Sequence, residues 1–324
     1  MDLDYSEIIK NTKKAGDIHK QIRTELDQFI KPNIKLIDIC KFIENKIKTL
    51  SSSDQINSGI AFPVGVSLNN IAAHWTPIKN NDQTILTDND VLKIDYGVHH
   101  NGCIVDSAFT WTNNSKYDPL LNASREAVDT IIKNIGVDTT ISEIGIWSEE
   151  IVKSYEIEKK GVLVPILPIN NLCGHSIKPW TIHAGKFIQC VKNNDKTKIE
   201  ANDVLAIEIF TSTGNGTTVL DNKSSHYILK ENYNKNNIKN LKFNNSKKLL
   251  NLIERKFKTL PFTQRYLDYH QSEIKHYGTF LNDLFNNNII SSYPALIDPD
   301  DYCYTAQFEH TLYLDETNKI VFSR

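Results

Sequence analysis

Apolar positions recur at helical spacing over residues 6–30, where Ile8, Ala15, Ile18, Ile22, Leu26 and Phe29 make one stripe. The spacing predicts an amphipathic helix, and Pro32 ends it because proline has no N–H for a following turn. A second helix is predicted at about 36–49, with Leu36, Ile39, Cys40 and Ile43 on one face. After a polar Ser-Ser-Ser-Asp-Gln loop, the stretch from Gly59 to Pro77 reads as strand and turn. The pattern then repeats itself. Asn-Asp-Val-Leu-Lys-Ile-Asp at 89–95 returns as Asn-Asp-Val-Leu-Ala-Ile-Glu at 202–208. Each copy reads as a turn entering a β-strand that ends in a carboxylate. Each also follows a helix with a similar apolar start, Leu36 and Ile39 in the first half, Ile141 and Ile144 in the second. This is a duplicated α+β unit, and a pseudo-twofold between its halves would bring Asp95 and Glu208 to opposite sides of one central site.

The pattern shifts at about 221. Residues 221–292 carry 12 Lys and Arg against 6 Asp and Glu, so this segment is +6 and the remainder −8. It is rich in Asn and Lys, with helical patterns near 246–258 and 275–290. The segment reads as a helical insertion that interrupts a sheet resuming at Tyr304–Leu314. The predicted division is a catalytic domain over 1–220 plus 293–324 and an insertion subdomain over 221–292.

Composition narrows the class without naming the chemistry. The 324 residues suffice for one large domain or two ordinary ones. A net charge of −2 argues against a chain held globally to nucleic acid or membrane by charge. The five cysteines (Cys40, Cys103, Cys173, Cys190 and Cys303) never stand in Cys-x-x-Cys spacing, which speaks against a disulfide framework or a thiolate zinc site. The first residues lack the apolar core of a signal peptide, and no apolar run approaches the ~20 residues of a membrane span. A soluble, cytoplasmic, monomeric protein is the expectation.

Candidate chemistry lies in four strand-like contexts. Asp95 and Asp106 flank a hairpin containing Gly97 and Gly102, which would set both carboxylates at one level of adjacent short strands. Ionised carboxylates among Ile94, Ile104 and Val105 must be paired or bind a cation; two solvent-facing edge aspartates is the competing reading. His175 and His183 sit among Gly174, Pro179 and Gly185, a strand–loop–strand context, and each also fits an ordinary surface or core histidine. Glu208 and Glu309 lie within apolar strands, where glutamate is uncommon unless paired or metal-bound. His74, taken alone, reads as a loop residue. Four carboxylates and one imidazole suit a pair of hard divalent cations better than a structural zinc, with room for a bridging water of lowered pKa.

These stretches together resemble the type 2 methionine aminopeptidases, which have the pita-bread fold. The similarity runs through IKPNIKLIDIC, AFPVGVSLNNIAAHWTP, KIDYGVHHNGCIVDSAFT, GHSI with IHAGK, IEIFTSTGNG, SHYILK and YTAQFEHTLYL, in order along nearly the whole chain. The resemblance implies an α+β pita-bread fold with pseudo-twofold halves, and it equates the basic segment with the type 2 helical subdomain. It implies two divalent ions (Mn, Fe, Co or Zn). Asp95 would chelate one, Asp106 and Glu309 would bridge both, and His175 and Glu208 would hold the second. Glu208 would also shuttle a proton, and His183 would steady the oxyanion. His74 would contact the scissile peptide, as the imidazole that epoxide inhibitors of the family alkylate. Phe62, Ile182, Tyr293 and Leu296 would line the methionine pocket, with His226 at its mouth. The implied reaction is removal of an initiator methionine before a small second residue, by a metal-bridging hydroxide. The partners implied are peptides with N-terminal methionine, and no specific nucleic acid.

Three positions depart from the family pattern: Cys173 for the usual Asn, Trp75 for Tyr, and Lys178-Pro179-Trp180 for a Gly-containing turn. They bear on pocket shape. The chain lacks the charged N-terminal extension of many type 2 enzymes and stops slightly early, so a minimal catalytic core is expected. Two rivals stand beside this reading. A proline-directed peptidase of the same fold would carry a separate N-terminal domain, for which the ~70 residues before the first motif are too few. A non-catalytic relative that binds ribosomes or RNA through the +6 insertion would be expected to lose metal ligands. An active enzyme that docks transiently near the ribosomal exit through the insertion is a further reading, beside the favoured, plainer one of a solvated Lys-rich face.

Overall fold

The computed structural model describes residues 4–51, 55–269, 274 and 277–324. The chain opens with α1 (Tyr5–Phe29) and α2 (Leu36–Leu50), within about a residue of the spans that the apolar stripes predict. Strands β1 (Ser58–Ile60), β2 (Gly65–Leu68) and β3 (Ile71–Ala73) follow. Then comes a long hairpin of β4 (Val91–His100) and β5 (Cys103–Thr112). Its two-residue turn is Asn101-Gly102, with φ of 49° and 81°. Two positive φ values match the right-handed twist of the strands, and Asn-Gly is the pair that adopts them most readily. The strands are longer than the glycines suggest, because Gly97 stays inside β4. A side chain there would collide with the ring of Phe62, its added Cβ falling 2.2 Å from that ring.

The second half repeats the order. Helices α3 (Asp118–Asn134) and α4 (Ile141–Lys153) come first, and α4 begins with a capping box between Thr140 and Glu143. A separate hairpin of β6 (Glu156–Lys159) and β7 (Val162–Pro165) follows, then the short β8 (Leu167–Pro168), β9 (Cys173–Ile177) and β10 (Phe187–Gln189). The long strand β11 (Asp203–Ser212) is the counterpart of β4. Next, β12 (Val219–Leu229) leads out to helices α5 (Asn244–Lys256), α6 (Gln264–Asp268) and α7 (Tyr277–Asn286). The chain returns along β13 (Ile290–Ile297), then β14 (Thr305–Leu314) and β15 (Lys319–Val321). Helices α1 and α3 lie across β4–β5 and β11–β14 respectively, so each half is a helix pair backing a pair of long strands.

The sheet of β11 resumes with β14 at Thr305–Leu314, within a residue of where the apolar pattern places it. Before it, β13 pairs with β12 and with β3 from the first half, in a separate three-stranded sheet that the apolar pattern did not announce. Residues 221–229 and 290–292 are therefore strand, and the helices lie between them. One buried contact anchors these helices to the body. Arg265 of α6 and Glu44 of α2 form an ion pair with no solvent exposure, and Tyr269 Oη donates to Glu44 Oε2 at 2.8 Å.

The two halves meet along β5 and β14 through threonine hydroxyls. Thr311 Oγ1 accepts from the Asp106 N–H at 2.8 Å and donates to the Asp106 carbonyl at 2.6 Å. Thr110 Oγ1 does the same for Gln307, donating to its carbonyl and accepting from its N–H, both at 2.8 Å. Each threonine stands four residues beyond the partner of the other, so the exchange is itself two-fold. By this symmetry Asp106 corresponds to Gln307. The paired strands add Asp95 to Glu208, since Asp95 faces Ala108 on β5 and Glu208 faces Glu309 on β14.

Candidate active site

Strand alternation decides which side chains share a face. On the second sheet, His175 is opposite Ala206 and Glu208 is opposite Glu309, so His175, Glu208, Gln307 and Glu309 project from one face. On the first sheet, Asp95 is opposite Ala108 and Asp106 is opposite Gly97. The two aspartates therefore share a face but are not at one level; they are offset diagonally by two residues, because the turn lies at 101–102. The Thr seam turns that face toward the second sheet.

The result is a cavity of about 210 Å³ lined by all twelve residues expected there. Asp95, Asp106, His175, Glu208 and Glu309 make one end. Phe62, Ile182, Tyr293 and Leu296 make an apolar wall, with His74, His183 and His226 between. His74 and Tyr293 meet edge-on with ring centroids 5.7 Å apart, and His183 meets His175 at 4.4 Å. His226 Nδ1 shares a hydrogen bond with Ser225 Oγ at 2.9 Å, while Ser225 Oγ also donates to the His74 carbonyl at 3.0 Å. His74 sits at φ 62°, left-handed backbone that a non-glycine residue adopts only when its surroundings hold it there. Of the three departures from the family pattern, Cys173 lines this cavity and Trp75 and Trp180 do not. Trp180, at φ 66°, lies instead under Lys258 and against Gly102 of the β4–β5 turn.

The polar end fits divalent cations. Asp106, His175 and Glu309 bring three ligand atoms within 4.8 Å of one another. His175 Nε2 stands 3.5 Å from Asp106 Oδ2 and 3.7 Å from Glu208 Oε1. Ligand atoms each ~2.1 Å from a common ion lie roughly 3–3.5 Å apart, so this spacing is that of co-ligands. The Nδ1 edge of His175 faces the Ser176 carbonyl at 3.4 Å, leaving Nε2 toward the carboxylates. Asp95 Oδ1 and Glu309 Oε2 are buried without a hydrogen-bond partner. Burial, and then mutual repulsion, raises the pKa values of Asp95, Glu208 and Glu309 well above the carboxylate range. Burial pushes Asp106 up to about 7 and lowers His175 to about 4. Four carboxylates and a neutral imidazole forced together without a counter-charge are what a cation would relieve.

Two polar residues of the lining, Asn171 and Gln307, were not among the expected ones. Gln307 Nε2 lies 3.3 Å from both Asp95 Oδ2 and Glu208 Oε2, joining the two symmetry-related carboxylates. Its Oε1 is buried and unpartnered. The signal was present in the sequence. Gln307 precedes Glu309 by two residues in a strand and must share its face.

Two α+β halves closing on a cavity of four carboxylates and one imidazole define a pita-bread metallopeptidase. The pattern of metallopeptidase family M24 matches residues 10–237. Methionine aminopeptidase 2 of Komagataella phaffii is 41% identical over 312 residues, 96% of this chain and 69% of the relative. A thermophilic Arx1 structure superimposes with a TM-score of 0.80 at 18% identity, covering 98% of this chain and 90% of that one. The methionine aminopeptidase of Thermotoga maritima does so with 0.66 at 17% identity, covering 100% and 99%. The chain belongs to the methionine aminopeptidase 2 branch of metallopeptidase family M24.

Proposed function

We propose that this chain removes the N-terminal methionine from peptides with a small second residue. Two divalent cations would be held by Asp95, Asp106, His175, Glu208 and Glu309. The observation that carries this reading is the junction of the five ligand-type side chains with an apolar wall in one cavity. Bound there, the cations supply a water of lowered pKa as nucleophile and polarise the scissile carbonyl.

The chain's own residues account for the rest. Phe62, Ile182, Tyr293 and Leu296 offer the apolar surface that a thioether side chain seeks. Glu208, whose Oε2 is within reach of Gln307, takes the proton of the attacking water and delivers it to the leaving amine. His183, open to solvent and packed on His175, donates to the oxygen on which charge develops. His74, held in left-handed backbone by Ser225, contacts the scissile peptide. Gln307 fixes the orientation of Glu208 against Asp95. The helices between β12 and β13 form a subdomain buttressing the His74 loop, since Arg265 Nη1 donates to Thr76 Oγ1 at 3.4 Å. Among the described residues no helix is long and apolar enough to cross a membrane. We place the enzyme in the cytoplasm as a monomer that meets nascent chains, with its Lys-rich insertion as a transient ribosome contact.

A Met-Ala-Ser peptide assayed with Mn(II) or Co(II) tests the proposal. Release of free methionine by the wild-type chain, lost in Asp106→Asn, is the expected result. No turnover with any divalent metal would overturn the activity, and an Asp106→Asn protein as active as wild type would overturn the metal site.

A further inference from the structure

Behind the metal-ligand face, the same two strands wall a second cavity of about 240 Å³. Asp106 and Glu309 face the first cavity, while their neighbours Ser107, Phe308 and His310 face this one. Three guanidinium groups line it: Arg23 from α1, Arg125 from α3, and Arg324. Asp129 is the one carboxylate in the lining, and it is paired with Arg324. Arg23 is paired with Asp27. Arg125 donates to the Asn122 amide oxygen at 3.1 Å and lies over the Phe308 ring, with no carboxylate partner among the described residues.

The floor of this cavity is His19, only 1% exposed and stacked on Tyr96 with ring centroids 4.0 Å apart. Backbone of Ser107 and Tyr96 lies close enough to favour its protonated form slightly, yet neither ring nitrogen closes a hydrogen bond of normal geometry. Burial, then the neighbouring His310, lowers His19 to about 3, so its ring is neutral at physiological pH. A buried, neutral ring whose backbone neighbours close no hydrogen bond of normal geometry, in a cavity lined by arginines, fits an acceptor that carries negative charge.

We propose that this cavity binds a small oxyanion of the phosphate class between Arg23, Arg125 and Arg324, with His19 as the donor at its floor. Guanidinium forks suit such an ion because each presents parallel N–H groups to two oxygens. An ion there would tie α1 and α3, one helix from each half, to the seam strands that carry Asp106 and Glu309. The site is independent of the peptidase reading, since none of its residues touches the first cavity.

Calorimetric titration of inorganic phosphate, with thermal melting in parallel, tests this on three proteins: wild type, Arg125→Gln and Asp106→Asn. Arg125 is exposed, so its replacement leaves the fold intact, and circular dichroism verifies this for all three. The expected result is one saturable phosphate site and a raised melting temperature in wild type and in Asp106→Asn. Affinity should be at least about tenfold weaker in Arg125→Gln, whose methionine release without phosphate should equal that of wild type. Absence of saturable binding overturns the proposal, as does equal affinity in Arg125→Gln. Loss of binding in a folded Asp106→Asn protein would assign the phosphate to the metal centre and overturn it as well.

Discussion

Single residues break the symmetry that the fold sets up. The two-fold exchange of Thr110 and Thr311 makes Asp106 the counterpart of Gln307 and Ala108 the counterpart of Glu309. One half thus supplies two aspartates, and the other supplies two glutamates and an amide. This asymmetry gives Glu208 a neutral neighbour, Gln307, as the proposed role of proton carrier requires. Glu208→Gln is expected to lower kcat by about 10²–10⁴-fold, with bound metal reduced but still measurable by elemental analysis. Full activity in that variant would remove Glu208 from the proton path. His183→Ala should lower kcat by about 10²–10³-fold with little change in KM; a change confined to KM would make it a binding residue only. Residue type and apolar context marked all five ligand-type positions in the sequence. Gln307 was missed because glutamine is neither a common ligand nor unusual in a strand, and only its register against Glu208 shows its use.

Elements carry the positioning. The amphipathic stripe of α1 sets the face that it buries, and it was legible because it depends on neighbours in sequence. The Asn101-Gly102 turn sets the register of β4 on β5, but the sequence pattern placed only a glycine-containing hairpin there and so missed the two-residue offset of the aspartates. The seam was not, since Thr110 and Gln307 are 197 residues apart and no local pattern joins them. Thr311→Val tests the seam. It leaves the Asp106 N–H and carbonyl without their partner, which should cost roughly 1–3 kcal/mol of stability and about 10–100-fold in metal affinity. Unchanged metal binding, read by calorimetry, would mean that the seam holds the sheets but not the ligands. The buried pair between Glu44 and Arg265 is the other long-range tie. Glu44→Gln strands a guanidinium in the interior and is expected to destabilise by about 3–5 kcal/mol in urea unfolding. A loss below about 1 kcal/mol would show that the insertion is not anchored there.

For the whole molecule, the buried carboxylate cluster gives stability a definite pH dependence. A carboxylate whose pKa is raised on folding stabilises fully below its unfolded value, ~4, and that contribution is lost as pH rises through the folded value. Burial pushes Asp106 up to about 7, and burial, then neighbouring carboxylates, raises Asp95, Glu208 and Glu309 well above the usual carboxylate range. The metal-free protein should therefore weaken as pH rises from about 4 past 7. Divalent cations held by those carboxylates in place of the protons would remove the penalty, and their affinity would rise as the carboxylates ionise. The gain in melting temperature on adding Mn(II) should accordingly increase from pH 5 to pH 8. A gain that is flat across that range would show that the carboxylates are not held together by the metal.

The sequence by itself determined the parts whose causes are local. Helical stripes, the glycine-containing hairpin, the repeated strand starts and the polar residues within apolar strands all act through neighbours a few positions away, so the elements and the ligand types could be read directly. The tertiary structure decided what depends on distant segments meeting. It brought β13 back to β3 in a separate three-stranded sheet, joined Gln307 to both halves, and set His19 and three arginines behind the metal-ligand face. Each of these follows from hydrogen bonds and packing between residues far apart in the chain, whose energies exist only once the two halves have closed.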